Sequence, residues 1–195
     1  MNTENQIKVW DPLVRVGHWS LVGSFFLAYL TEDDFLTVHA WAGYVAGGVV
    51  GFRLLWGLVG TRYARFTSFV RGPSTVVAYL GEIVGGHPQR YIGHNPAGGA
   101  MVIALLFLVT LTVISGLGVY GGEEGAGPLA GVMQGSPHWL DEALEEIHEF
   151  LANFTLLLVA LHVGGVILAG WQHGENLVRA MINGRKPAAQ ENEHA

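Results

Sequence analysis

The sequence contains no cysteine among its 195 residues. That excludes disulfides, covalently attached c-type haem, cysteine-held iron–sulfur clusters and cysteine zinc sites, so any redox cofactor must be held by His, Met or carboxylate. Charge is also scarce. Asp, Glu, Lys and Arg make up 13% of the chain, about half the ~25% usual in water-soluble domains. Half the residues are apolar and the mean hydropathy is +0.36. Together with several apolar runs near 20 residues, this indicates an integral membrane protein rather than a soluble domain with a large core. Basic residues are missing from two stretches in particular, 31–37 and 121–147. A cleavable leader is not expected either, because the N-terminus is polar for nine residues and the first apolar run lacks a small-residue cleavage site. Nucleic acid is not an expected partner.

Four spans are expected, at about 13–30, 38–59, 97–120 and 147–171, giving an all-α membrane protein with a four-transmembrane-helix bundle. The membrane domain is expected to cover residues 1–186, with 187–195 as a polar tail and the chain loose from Gly184 onward. "TEDDF" forms a tight acidic connection between the first two spans, and a Gly-rich loop before the last span turns into an acidic helix start. The longer stretch 60–96 carries Arg62, Arg65, Arg71 and Arg90. Its middle, "PSTVVAYLGEIVGG", opens with Pro and Ser in helix-starting positions and is expected to lie half-buried on the membrane surface. All ten Lys and Arg fall in the N-terminal segment, the 60–96 stretch, the C-terminal segment or at Arg53. The positive-inside rule then makes both termini and the long loop cytoplasmic. The opposite face gathers ten carboxylates: Glu32, Asp33, Asp34, Glu123, Glu124, Asp141, Glu142, Glu145, Glu146 and Glu149.

Histidine is plentiful, with nine residues. His148 and His162 are fourteen residues apart in one apolar run, which puts them on one helix face about 21 Å apart along the axis. The orientation places His148 near the outer surface and His162 toward the inner one. His39 begins the second span level with His148, and His18 lies near the inner start of the first span, level with His162. A buried imidazole in hydrocarbon is costly unless satisfied, so four at two matched depths call for a common reason. Haem iron takes axial imidazole nitrogens, and helix bundles build such sites from facing helices. Two b haems are therefore expected, one on His39 and His148, the other on His18 and His162. With both axial positions filled, such sites suit electron transfer. Gly43, Gly47, Gly48 and Gly51 on the second span, and Ala152, Gly164 and Gly165 on the fourth, leave room for a flat macrocycle, although ordinary small-residue packing explains them equally. Arg53, fourteen residues after His39, is placed to pair with an inner haem propionate; snorkelling to the surface is the alternative.

The segments "WDPLVRVGHW" (10–19), "VHAWAGYVAGGVVGFR" (38–53), "GHNPAGG" (93–99), "HEFLANFTLLLVALH" (148–162) and "ENLVRAMINGRK" (175–186) resemble bacterial cytochrome b561. Within that family they are most similar to the branch holding the b-type cytochrome subunits of nickel–iron hydrogenases. The resemblance implies a four-helix bundle with two b haems in the bacterial inner membrane, moving electrons between a membrane quinone and an external partner. Its ligand positions fall on His18, His39, His148 and His162. The external partner is then a hydrogenase subunit or a c-type cytochrome, and a homodimer is compatible with this reading.

His94, in "GHNPAGG", is a candidate for hydrogen bonding a haem propionate or a quinone carbonyl, with helix-start packing as the alternative. His173, Glu82 and Glu175 are further titratable groups near the inner interface and candidates for proton exchange with quinone. His87, His138 and His194 are expected in solvent. Two other functions fit the same frame: a superoxide:quinone oxidoreductase, disfavoured because outer carboxylates repel an anion, and a membrane anchor subunit with no redox work.

Overall fold

The computed structural model describes residues 6–32 and 35–188. Asp33, Asp34, His194 and the end of the expected tail lie outside the described residues. The chain runs through β1 (Gln6–Lys8), α1 (Pro12–Leu30), α2 (Leu36–Val59), α3 (Phe66–Phe69), α4 (Pro73–Val84), α5 (Pro96–Glu123), α6 (Ala130–Met133), α7 (His138–His173), α8 (Leu177–Asn183) and β2 (Arg185–Pro187). Helices α1, α2, α5 and α7 are long and apolar enough to cross a membrane. They match the four expected spans, each starting one to nine residues earlier. The largest difference is α7. Its 36 residues give about 54 Å of helix against a hydrocarbon core of about 30 Å, so its acidic opening turns exceed what a span requires. Many large apolar side chains stay exposed, among them Leu55, Phe107, Phe150 and Ile167, as expected where lipid is the solvent.

Local chemistry sets the helix starts. Asp11 accepts a hydrogen bond from the Val14 amide at 3.0 Å, capping α1 just before Pro12. Asn95 accepts from the Gly98 amide at 2.7 Å and precedes Pro96, the residue best suited to a first helical turn. The α4 helix opens on Pro73 as its sequence suggests. Asn176 caps α8 through the Arg179 amide at 2.7 Å. Gly184 ends α8 with φ of 80°, and a Cβ there would sit 2.5 Å from the Trp10 carbonyl oxygen. Both the left-handed backbone and the close approach require glycine.

The chain divides into two compact units. One comprises residues 1–16, 54–102 and 161–195. Its core gathers Val9, Trp10 and Ala180, with Ile7, Tyr63, Ile92 and Met181 packed against them. Asp11 also accepts hydrogen bonds from the Trp56 indole (3.2 Å) and the Thr61 hydroxyl (2.6 Å). Burial pushes its carboxyl upward, but these bonds and the Val14 and Leu13 amides outweigh that and hold it below the usual range.

The expectation that the chain is loose from Gly184 is corrected for the described residues. Arg185–Pro187 pair antiparallel with Gln6–Lys8, Ile7 opposite Lys186. Lys186 is 5% exposed. Its ammonium lies 2.9 Å from Glu175 and donates to the Tyr91 carbonyl at 3.1 Å. Arg90 pairs with the other oxygen of Glu175 and donates to the Pro187 carbonyl at 2.7 Å. One buried carboxylate thus fastens the 60–96 stretch to the C-terminal strand. Burial alone would raise its pKa; hydrogen bonds and charge from Lys186 and Arg90 prevail and hold it below the ordinary value.

A depressed carboxylate stabilises the fold above its unfolded pKa, and that contribution is lost as pH falls through the folded value. Glu175→Gln leaves two cations in place with their shared anion gone, which should cost about 3–5 kcal/mol at neutral pH. Thermal unfolding in detergent should show the gap between wild type and variant at pH 7 and its narrowing below about pH 4. A pH-independent gap would refute the ion-pair origin.

Candidate haem-ligating site

The second unit comprises residues 17–53 and 103–160, so it is built from segments of α1, α2, α5 and α7. Tyr29 on α1 donates to the Asn153 side chain on α7 at 2.7 Å. Small residues, Ala42 and Ala46 on α2, are buried with Leu106, Leu108 and Val109 on α5. This packing brings together His39, near the start of α2, and His148 on α7.

Their rings lie edge to face, centroids 5.9 Å apart and planes at 79°. His39 Nδ1 is 2.9 Å from the Ala28 carbonyl oxygen, a group in the last turn of α1 that also accepts from the Thr31 amide at 3.1 Å. His148 Nδ1 is 2.9 Å from the Thr112 carbonyl oxygen. A carbonyl oxygen only accepts, so each Nδ1 must carry the proton. Each Nε2 is left with a bare lone pair, the state a metal ligand needs.

Metal–imidazole bonds of about 2.0–2.1 Å on opposite sides of one metal would put two ring centroids about 6.4 Å apart, close to the 5.9 Å found here. Among the described residues no group of three or more His, Asp or Glu could hold a bare ion. Two imidazoles therefore suit a metal whose other positions are already filled, as in a haem. The rings border a cavity of about 160 Å³, partly open to solvent. Phe25, Val109, Val113 and Leu117 supply apolar walls, while Tyr44, Tyr120, Glu32, Glu123 and Glu124 also line it. A Cβ on Gly43, another lining residue, would meet open space. On α5 a Cβ at Gly116 would come 2.7 Å from His148 Cε1. Glycine there lets the imidazole sit against the helix backbone.

The other expected site residues fall as follows. His18 is half-buried on α1 in the second unit, edge-on to Trp19 with centroids 5.1 Å apart. His162 is half-buried on α7 and belongs to the first unit. Arg53 is half-buried on α2. His94 lies in the first unit just before α5, between Trp10 and Phe69 at centroid distances of 4.6 and 4.5 Å. Glu175 is engaged by Arg90 and Lys186 as a fixed charge. His138 begins α7 as an exposed residue, and His87 turns back to the Gly85 carbonyl. Sequence reasoning missed Ala28, Thr112 and Gly116, the groups that orient the two imidazoles, and Ser115 beside them. The one visible signal was a run of small and hydroxyl residues, "TLTVISG", inside an otherwise apolar span.

Four helices apolar and long enough to cross a membrane carry this pair of carbonyl-bonded imidazoles. The prokaryotic cytochrome b561 family matches residues 9–184, and the chain belongs to it. Membrane electron transport and a b-type haem come with that membership. The chain is also similar to two proteins each named "Probable Ni/Fe-hydrogenase B-type cytochrome subunit". The one from Rhodobacter capsulatus is 24% identical over 92% of this chain and 81% of its own length. The one from Cupriavidus necator is 24% identical over 89% of this chain and 72% of its own length. No solved structure matches the chain.

The tight seat under His148 gives a direct test. Gly116→Ala should force the imidazole away from the Thr112 carbonyl and lower haem content in the purified protein, while circular dichroism stays that of the wild type. A variant with full haem and an unchanged spectrum would show that the contact is not needed.

Proposed function

We propose that the chain holds two b haems and carries electrons across a bacterial inner membrane, between quinone and an external redox protein. His39 and His148, with ring centroids 5.9 Å apart and each Nδ1 tied to a backbone carbonyl, are the observation that carries this reading. His18 and His162 form the second ligand pair on the strength of their matched depth along the spans. Bound at these sites, a b-type haem supplies a one-electron ferric/ferrous couple. The protein's part is to present imidazoles in a fixed tautomer beside apolar cavity walls, where His39 and His148 would hold the group. Arg53 is assigned to an inner propionate, and His94 to a propionate or a quinone carbonyl.

The charge distribution supports an orientation with both termini and the 60–96 stretch in the cytoplasm. The external partner is then a hydrogenase-type subunit, by similarity to the named relatives, or a basic c-type cytochrome attracted by the carboxylates of the opposite face. A homodimer is compatible with this arrangement.

Single-ligand variants test the assignment. Wild type should bind two haems per chain. His148→Ala and His162→Ala should each bind one, and the potentiometric component lost should differ between them. Either variant retaining both components at unchanged midpoint potentials would remove that residue from the ligand set.

A further inference from the structure

The two ligands that face each other in the second unit are not held alike. At His39 the Nδ1 proton goes to the Ala28 carbonyl at 2.9 Å. At His148 the Thr112 carbonyl at 2.9 Å is joined by a hydroxyl: Ser115 Oγ lies 3.1 Å from Nδ1 and 3.0 Å from the same carbonyl. Ser115 is buried, at 6% exposed, inside the apolar α5.

Three electronegative atoms close a triangle that contains only two hydrogens. The carbonyl has none to give, so one hydrogen must sit on Nδ1; without it two lone pairs would face each other at 2.9 Å. The serine hydrogen then cannot point at Nδ1, which already carries a proton. It points at the carbonyl, and the oxygen end of the hydroxyl dipole faces the imidazole N–H. The N–H is therefore shared between two acceptors. Both favour positive charge on the ring, and a ferric iron bound at Nε2 places more of it there than a ferrous one does.

We propose that Ser115 is a positioning residue that lowers the reduction potential of the haem held by His39 and His148. It does so by accepting from His148 Nδ1 and so favouring the oxidised state. The proposal rests on the haem reading above and adds to it a residue outside the ligand set. A local hydroxyl can do this because the surroundings are apolar. Ser115 is itself buried in α5, and Val109, Val113 and Leu117 of the same helix line the cavity.

The test is potentiometric titration of the purified protein as Ser115→Ala and Ser115→Thr, followed optically and by low-temperature EPR. Ser115→Ala should keep two haems and raise the potential of the one component that His148→Ala removes. The expected change is roughly three- to tenfold in that haem's redox equilibrium constant, up to about 59 mV for one electron. The other component is the internal control and should not move. Ser115→Thr keeps the hydroxyl and should restore the wild-type potential. In Ser115→Ala, the ferric EPR signal of the affected haem should shift, because its axial imidazole loses imidazolate character. Two haems at unchanged potentials, a fall in potential, or an equal shift of both haems would each overturn the proposal. Loss of one haem in Ser115→Ala would overturn it too, by making the hydroxyl part of the ligand's support. A wild-type protein without the haem on His39 and His148 would instead sink the underlying reading, so the two failures are distinguishable.

Discussion

A backbone carbonyl cannot donate a hydrogen bond, and that constraint decides the chemistry of this protein. A histidine in an apolar helix can hold its proton on either nitrogen, and only one tautomer leaves Nε2 free for a metal. The Ala28 and Thr112 carbonyls make the choice at His39 and His148. They cost the fold little. Ala28 lies in the last turn of α1, where its carbonyl also accepts from the Thr31 amide, and Thr112 lies where Gly116 lets a ring approach the helix. Both imidazoles are therefore preorganised, with no charged group spent to orient them.

The proposed ligand positions come from the chain because membrane spans turn sequence spacing into depth, and the structure brings His39 and His148 together. His148 and His162 share one face, and His39 falls at the depth of His148. The partners of Nδ1 were not legible. A backbone carbonyl leaves no mark in the sequence, and which of them meets a given side chain depends on helix packing. Ser115 was hidden for a related reason, since a serine in a membrane helix usually bonds back within its own helix. Here it does that at 3.0 Å to Thr112 and also faces His148.

The chain ends misled for another reason. The segment after Gly184 is short and polar, which reads as a free tail. Its order comes from contacts across more than ninety residues of sequence: Lys186 to the Tyr91 carbonyl, and Arg90 to the Pro187 carbonyl. Local pattern carries no trace of such pairing. The signal that existed was Glu175, a lone carboxylate in a basic neighbourhood. It reads equally as a proton carrier or as an anchor for cations, and geometry assigns it the second role. The helix caps, by contrast, were local, and Asn95–Pro96 and Pro73 begin helices as their residue types indicate.

Cofactor selection follows from what the pair lacks. Two imidazoles cannot satisfy a bare divalent ion, which takes four or more ligands from protein or water. Carboxylates able to complete such a set, Glu32, Glu123 and Glu124, line the cavity, yet among the described residues they form no metal cluster with the histidines. Apolar side chains such as Phe25, Val109 and Val113 share the cavity with the imidazoles, and Gly43 adds no side chain to it. A metal that brings four ligands of its own would need only two further donors, and His39 and His148 would supply them. Preference for a haem over a free ion would then follow from two imidazoles with no third metal-binding group beside them among the described residues.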